Sequence, residues 1–223
     1  MSAQLAFDYP ASVSLGGADF FVSDANRQAW TLVTAPDTWP EGKLALSGPQ
    51  GSGKTHLARV FAARTGAAVL QAADLPADLA PPGPVVVIED MERLPPASQA
   101  AVFHLHNHLR ATGGHLLVTA AMAPARWSLT LPDLASRMQA ATHVGIADPD
   151  DDLLAAVIIK QFADRQIAPA PDLAAYLAPR IERSFSAAAA IVAALDAAAL
   201  ATGKPVNRHL ARTLLDKAHA AGR

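Results

Sequence analysis

The most informative segment of this chain is the octapeptide Gly48-Pro49-Gln50-Gly51-Ser52-Gly53-Lys54-Thr55. It matches the phosphate-binding loop pattern G-x-x-x-x-G-K-[ST] at every fixed position. The apolar run 43–47 before it predicts a buried strand, and run 56–63 after it has apolar residues at helical spacing. Glycines let backbone N–H groups surround a phosphate, and the helix N-terminus adds partial positive charge. All eight residues are therefore expected to bind a nucleotide, with Lys54 reaching its β- and γ-phosphates and Thr55 ligating Mg²⁺.

An apolar stretch that ends in two acids follows the loop along the chain. Residues 85–88 are Val-Val-Val-Ile, and Glu89 and Asp90 come directly after them. Acids at the tip of such a strand can hold the water shell of Mg²⁺ and polarise an attacking water. We therefore expect Glu89 at the metal and Asp90 in catalysis. The alternative is a core strand that ends in a solvated turn.

The composition suits one sizeable α/β domain with a small second one, because 51% of the 223 residues are hydrophobic. A net charge of −2 gives no bulk signature of a nucleic-acid-binding protein. The chain has no cysteine, which excludes disulfides and thiolate chemistry. No N-terminal signal is visible, and the alanine-rich run 187–201 is expected to be too short to span a bilayer. These features favour a soluble cytoplasmic protein.

Alternating strand and helix signals predict a parallel sheet with helices on both faces. Further strands are expected at residues 67–71, 115–119 and 142–146, with helices at 25–34, 97–110 and 134–140. Asp24 is expected to cap the first of these helices. After residue 149 only helices fit, at 151–165, 172–177, 184–201 and 207–220. We therefore expect an extended arm at 1–17, an α/β domain at 18–148 and a helical lid domain at 149–223.

Four further stretches are similar to a known family: 20–22 with 26–29, 103–109, 131–137 and 182–185. Together with the loop and the acidic strand, they resemble the DnaA-like AAA+ ATPases. That family includes the bacterial replication initiator DnaA and the short regulators of DnaA called Hda, which the chain resembles more closely. The resemblance covers nearly the whole chain. It implies an AAA+ P-loop domain with a five-stranded parallel sheet, a small helical lid, and binding of ADP or ATP with Mg²⁺.

The resemblance also implies roles for individual residues. Phe21 and Val22 fall in the segment that lines the adenine pocket, and Arg183 falls where a lid arginine reads the nucleotide from a helix start facing the core. Arg137, within Leu-Pro-Asp-Leu-Ala-Ser-Arg, matches the arginine finger. Such a finger neutralises charge on a γ-phosphate and is often supplied across a subunit boundary. Here it would act on ATP bound to DnaA; the alternative for Arg137 is a surface salt bridge.

The N-terminal arm contains Gln4, Leu5 and Phe7. This spacing resembles the short peptide by which replication proteins dock on the sliding clamp, the β subunit of DNA polymerase III. In an extended segment Leu5 and Phe7 lie on one side and can fill an apolar pocket, while Gln4 supplies directional hydrogen bonds. The alternative is a frayed terminus.

Two departures from the family pattern concern catalysis. Glu89-Asp90 stands where the family usually has Asp followed by Asp, Asn or Glu, and Ala121 falls at the acidic position of the first sensor. Mg²⁺ demands tight geometry, so the extra methylene of Glu89 is expected to affect how its carboxylate reaches the metal. Both departures predict weak or no intrinsic ATPase activity.

Three closely spaced histidines, His104, His106 and His108, offer a second type of site. His104 and His108 share a helix face at a spacing that a metal can use. No acidic or cysteine partner lies nearby in sequence, so packing or surface roles are favoured over metal binding.

By resemblance, the expected function is inactivation of DnaA by a clamp-docked regulator. The expected partners are the clamp and DnaA, with a possible homo-oligomer, DNA contact only through the clamp, and no membrane. One rival is a self-sufficient AAA+ ATPase such as a helicase loader or a transposition-helper ATPase. A second is a pure interaction module with a structural nucleotide. A DNA-binding initiator is disfavoured, because the chain ends at Arg223, soon after the last expected helix.

Overall fold

The computed structural model describes the backbone of residues 15–16 and 20–221, and the side chains of residues 20–216. The predicted clamp-binding residues Gln4, Leu5 and Phe7 lie outside the described residues.

Five parallel strands form the central sheet: β3 (Lys43–Ser47), β4 (Ala68–Gln71), β5 (Val85–Glu89), β6 (His115–Ala120) and β7 (Thr142–Gly145). Their order across the sheet is β4-β5-β6-β3-β7. A separate antiparallel ribbon of β1 (Leu15–Gly16) and β2 (Phe20–Phe21) precedes it. The predicted five-stranded parallel sheet is confirmed.

Helices cover both faces of the sheet. One face packs on α1 (Arg27–Thr34) and α2 (Lys54–Thr65), and the other on α3 (Gln99–Ala111) and α4 (Pro132–Ala140). Successive side chains of β5 alternate between these faces, with Val86 and Ile88 on one and Val87 on the other. Burial on both faces explains the continuous apolar run of this strand.

Four helices make up the C-terminal part: α5 (Asp151–Asp164), α6 (Leu173–Leu177), α7 (Phe185–Thr202) and α8 (Arg208–Ala221). They share a hydrophobic cluster that includes Leu154, Phe162 and Leu195. By length and composition alone α7 could cross a membrane, so the expectation that this run is too short was wrong. Its residues Ala188 and Val192 are nevertheless packed in the helical cluster.

The start of α1 differs from the prediction. Asp24 does not cap the helix; its side chain is 91% exposed and pairs with Arg27 at 2.8 Å. Asn26 precedes the helix instead, and its side-chain oxygen accepts a hydrogen bond from the Ser23 N–H at 2.9 Å. The amide of Asn26 donates to the carbonyl oxygen of Phe21 at 2.9 Å. Asn26 thereby ties β2 to α1 and holds the adjacent phenylalanines in place.

Candidate nucleotide-binding site

The glycine-rich loop joins β3 to α2 and ends at the N-terminus of that helix. Gly51 and Gly53 have positive φ angles of 81° and 94°, which side-chain-bearing residues rarely adopt. A Cβ atom on Gly53 would lie 3.0 Å from the Phe20 ring, and one on Gly51 would lie 3.2 Å from Cβ of Phe185. The loop therefore requires glycine for its conformation and for close packing against two aromatic residues.

Lys54 lies along the loop itself. Its ammonium group donates to the carbonyl oxygens of Gly48 at 2.7 Å and Pro49 at 2.9 Å. Burial lowers the pKa of Lys54, while the carboxylates of Glu92, Asp90 and Glu89 act in the opposite direction, Glu92 most strongly. The lysine that is expected to bind phosphate thus lies close to three carboxylates.

A hydroxyl and a carboxylate meet beside the loop. Thr55 Oγ1 donates to Glu89 Oε2 at 2.7 Å, and Glu89 is only 5% exposed at the end of β5. Two hard oxygen ligands in contact fit Mg²⁺, which is usually completed by phosphate and water oxygens. Within residues 20–216, no group of three or more His, Cys, Asp or Glu side chains could hold a metal alone. The arrangement therefore fits a nucleotide-bound Mg²⁺ better than a free metal site.

Asp90, the second acid, has a different environment. Its φ of 57° places it in the left-handed region, and its N–H donates to Thr119 Oγ1 at 3.3 Å. The carboxylate lies 3.9 Å from the Arg93 guanidinium at the surface. The Asp90 carboxylate thus lies beside a surface arginine, and its predicted catalytic role remains a prediction.

A cavity of about 240 Å³ opens beside the loop, between the α/β part and α5. Its lining comes from β2, the α2 region and the C-terminal helices, and includes Phe20, Phe21, Asn26, Gly51, Ser52, Gly53, His56, Leu153, Val157, Lys160, Gln161 and Phe185. Phe20 stacks on Trp30 at 5.3 Å between ring centroids. Ser52 Oγ and Gln161 Oε1 are buried with no hydrogen-bond partner among the described residues. An apolar cavity with a few unpaired polar atoms fits a nucleoside.

Of the two residues predicted to line the adenine pocket, Phe21 lines this cavity and Val22 does not, and the contact of Phe21 with a base remains a prediction. Val22 is buried in the cluster between the sheet, α1 and α2. Phe20 belongs to the same segment that resembles the adenine-pocket lining, whereas Gln161 and Phe185 were not predicted at this cavity. Phe185 stands two residues after Arg183 in a stretch already singled out, whereas nothing in the local sequence around Gln161 pointed to the site.

Arg183 lies just before α7. Its side chain was expected to face the core, but it does not. Its guanidinium binds Asp151 through two contacts, Nε to Oδ1 at 2.9 Å and Nη2 to Oδ2 at 3.1 Å. The side chain is 68% exposed and is absent from the cavity lining. The predicted contact of Arg183 with nucleotide would require this ion pair to open.

Arg137 is half-buried on α4 and forms no hydrogen bond or ion pair with the described residues. The alternative of a surface salt bridge is therefore not seen within residues 20–216. The segment before α4 is held by Gln99, whose side-chain oxygen accepts from the N–H groups of Thr130 at 2.9 Å and Leu131 at 2.8 Å. A fixed helix start and an unpaired guanidinium leave Arg137 available to an external anion.

The three histidines of α3 differ in their exposure to solvent. His104 and His108 are exposed, whereas His106 is buried with Nδ1 lacking a partner among the described residues. Burial lowers the pKa of His106, and the nearby positive charges of Lys43 and Arg137 lower it further. The burial of His106 agrees with a packing role, and the exposure of His104 and His108 agrees with surface roles.

No protein-family description and no curated protein matches this sequence. Solved structures do match. Domain III of DnaA from Thermotoga maritima has a TM-score of 0.70 at 18% identity, covering 89% of this chain and 94% of that domain. The chain has a DnaA-like AAA+ ATPase fold.

Two further structures share this fold. DnaA from Aquifex aeolicus bound to AMPPCP has a TM-score of 0.63 at 18% identity, covering 79% of this chain and 63% of that one. The RuvB Holliday junction branch migration motor of Thermotoga maritima has a TM-score of 0.62 at 16% identity, covering 87% of this chain and 69% of that one. Identities this low establish a likeness of fold.

Proposed function

We propose that this chain is an Hda-like regulator of chromosome replication in the cytoplasm. It binds ADP or ATP with Mg²⁺ in its own site and docks on the DNA polymerase sliding clamp. It then stimulates hydrolysis of ATP bound to DnaA through Arg137, which inactivates the initiator.

Support for nucleotide binding comes from the loop and the cavity beside it. The loop N–H groups and Lys54 would hold phosphates, while Thr55 and Glu89 would hold Mg²⁺. The positive charge of the ion would offset the negative charge of the phosphates. Phe20 and Phe21 would contact the base. The Aquifex aeolicus DnaA that shares this fold is bound to the ATP analogue AMPPCP.

The proposal depends mainly on the environment of Arg137. An arginine finger needs a guanidinium that is free of internal partners and held on a rigid element. Arg137 meets both conditions, because it is unpaired among the described residues and α4 is fixed at its start by Gln99. In trans, such a group would stabilise the charge that develops on the γ-phosphate of DnaA-bound ATP.

Clamp docking rests on the sequence of the arm alone. Gln4, Leu5 and Phe7 would occupy the peptide site of the β subunit, and DNA would be contacted only through the clamp. A homo-oligomer is a second arrangement in which Arg137 would face the nucleotide of another copy.

The test is hydrolysis of DnaA-bound ATP in the presence of clamp loaded on DNA. Arg137→Ala is expected to lower the stimulated rate at least ~100-fold while clamp binding is unchanged, since a finger contributes roughly 10³–10⁵ in rate. Arg137→Lys should restore little, because lysine lacks the planar fork. The matched control is Arg59→Ala, at an exposed arginine on α2, which should stimulate hydrolysis at the wild-type rate.

A double variant tests the docking step. Gln4→Ala with Leu5→Ala should abolish clamp binding and, with it, stimulation of DnaA. Full stimulation by Arg137→Ala, or clamp binding that survives the double variant, would contradict the proposal.

A self-sufficient ATPase, such as a helicase loader or a transposition-helper ATPase, is the second candidate. The Thr55–Glu89 contact favours it, because these two oxygens could hold Mg²⁺ for hydrolysis in the chain's own site. That function predicts ATP turnover without DnaA and no dependence on the arm. A pure interaction module would bind nucleotide but have no effect on DnaA-bound ATP.

A further inference from the structure

A cleft of about 430 Å³ lies on the C-terminal helices and shares no lining residue with the nucleotide cavity. Its lining, which we call the arginine cleft, consists of Tyr176, Arg180, Arg208, His209 and Arg212. These side chains come from α6, the turn directly after it and the start of α8. Among the described residues, no acid belongs to this lining. Every charged group that borders the cleft is therefore positive.

Tyr176 orients two of the guanidinium groups. The centroid of its ring lies 4.1 Å from Cζ of Arg180 and 4.7 Å from Cζ of Arg208. Arg180 Nη1 also donates to the carbonyl oxygen of Tyr176 at 2.9 Å, and Arg180 forms no ion pair with the described residues. Stacking on an aromatic ring holds the planar fork with which arginine binds phosphate oxygens. Two such forks are thus in place before a ligand arrives.

The other contacts of the arginines are ion pairs at the surface. Arg208 Nη1 lies 2.9 Å from Asp172 Oδ2, and Arg212 Nε lies 3.7 Å from Asp216 Oδ2. The side chains of both pairs are more than half exposed, and exposed pairs contribute little stability. A ligand with several negative charges can therefore compete with these carboxylates.

The arginines occupy positions that are unfavourable without an anion. Arg208 and Arg212 are four residues apart on α8, so their like charges lie on one face of the helix and repel each other. Arg208 and His209 lie in the first turn of α8, where the positive end of the helix dipole disfavours a cation. No acid in that turn offsets them. A bound anion would relieve both kinds of repulsion.

The lining also restricts the class of anion. No aliphatic side chain borders the cleft, whereas a docked peptide uses apolar or aromatic anchors that fill pockets. The only aromatic ring already contacts two guanidinium groups, so it is not available as a platform for the bases of a single strand. Binding by charge alone suits the backbone of duplex DNA, which carries one negative charge per about 1.7 Å of its axis.

We infer that the arginine cleft binds the phosphodiester backbone of duplex DNA without regard to base sequence. Arg180 and Arg212 bind phosphate oxygens, while Arg208 keeps α8 joined to α6 through Asp172. Contacts of this kind position a protein on DNA but carry no sequence information. The inference goes beyond the proposed function, in which DNA is contacted only through the clamp. It requires neither nucleotide binding nor Arg137.

The experiment measures the fluorescence anisotropy of a labelled DNA duplex titrated with the full chain at several salt concentrations. The wild type should bind two duplexes of unrelated sequence equally, and the logarithm of its binding constant should fall linearly with that of the salt concentration. Arg180→Gln with Arg212→Gln should weaken binding at low salt at least ~10-fold. The same variant should reduce the salt slope by about two, since each phosphate contact contributes about one.

Two further variants separate the cleft from overall charge and from packing. Arg59→Gln with Arg64→Gln, at two exposed arginines of α2, removes the same charge and should leave the affinity and the slope unchanged. Arg180→Lys with Arg212→Lys keeps the charge and should restore most of the slope, because lysine also binds phosphate.

Four results would overturn the inference. The first is no binding of duplex by the wild type at low salt. The second is equal weakening by the α2 variant, which would mean that overall charge attracts the DNA. The third is a lysine variant that does not restore the slope, which would mean that both arginines act by packing. The fourth is tighter binding of a single strand of the same length.

Failure of this inference is distinguishable from failure of the proposed function. Clamp binding through the arm is measured without DNA, and Arg180→Gln with Arg212→Gln should leave it unchanged. Arg137→Ala, in turn, should bind duplex DNA as the wild type does, because Arg137 lies on α4 and not in the arginine cleft.

Discussion

Lys43 is a buried cation at the start of β3, and its charge makes a pH dependence of stability predictable. It is only 2% exposed, and its ammonium donates to the carbonyl oxygens of Glu41 at 2.8 Å and Gly114 at 3.1 Å. Burial lowers its pKa from 10.5 to about 8, with Glu41 partly opposing. The unfolded chain therefore binds more protons than the folded one between these two values, so the free energy of unfolding rises with pH across that window.

Between pH 7 and pH 9.5, Lys43 should raise the free energy of unfolding by roughly 2 kcal/mol, and Lys43→Met should lack this increment. Urea denaturation at both pH values measures it. Lys204→Met, at an exposed lysine, is the control and should retain the full increment. An equal increment in Lys43→Met and wild type would show that the ammonium is not desolvated.

Gln161 is the residue whose side chain is best placed to distinguish nucleobases. Its Oε1 is buried and unpaired in the cavity lining, where it can accept from an exocyclic amino group such as that of adenine. Gln161→Met should therefore lower the preference for ADP over inosine diphosphate, which carries an oxygen at that position, by roughly tenfold. Calorimetric titration with both nucleotides checks this, and Gln28→Met, on the exposed face of α1, should keep the wild-type preference.

At the scale of elements, α4 depends on a contact from a different helix. Gln99, buried at the start of α3, accepts two backbone N–H groups and the Thr130 hydroxyl just before α4 begins. Gln99→Leu removes the acceptor of these three part-buried hydrogen bonds, at about 1–3 kcal/mol of stability in total. We expect faster amide exchange over 130–140 and reduced stimulation of DnaA by Arg137, with clamp binding unchanged. Gln139→Leu, exposed on α4, should change neither.

Elements were predictable from sequence where the signal is local. β5 and the glycine-rich loop follow from an apolar run, adjacent acids and fixed glycines within one short segment. The start of α1 was missed because the side chain of Asn26 binds β2 rather than capping the helix. Gln99 was missed because its partner Leu131 lies 32 residues away, and only the fold brings them together.

At the scale of the molecule, the cavity joins parts that otherwise have separate cores. The sheet and its helices form two hydrophobic clusters, and α5 to α8 form a third. The cavity is lined by Phe20 and Gly53 from the α/β part and by Val157 and Gln161 from α5. A nucleotide bound there would contact both, so its binding energy would stabilise both together.

ADP with Mg²⁺ should therefore couple the unfolding of the two parts. At about 100 times its Kd, a ligand that binds only the folded state adds about 2.7 kcal/mol. That increment should appear in slowly exchanging amides of α5 as well as those of β3 and β5, since losing either side of the cavity releases the nucleotide. Lys54→Ala, which removes the phosphate-binding ammonium, should abolish the increment in both sets of amides. Protection confined to β3 and β5 would instead mean that the nucleotide is held by the loop alone, without the C-terminal helices.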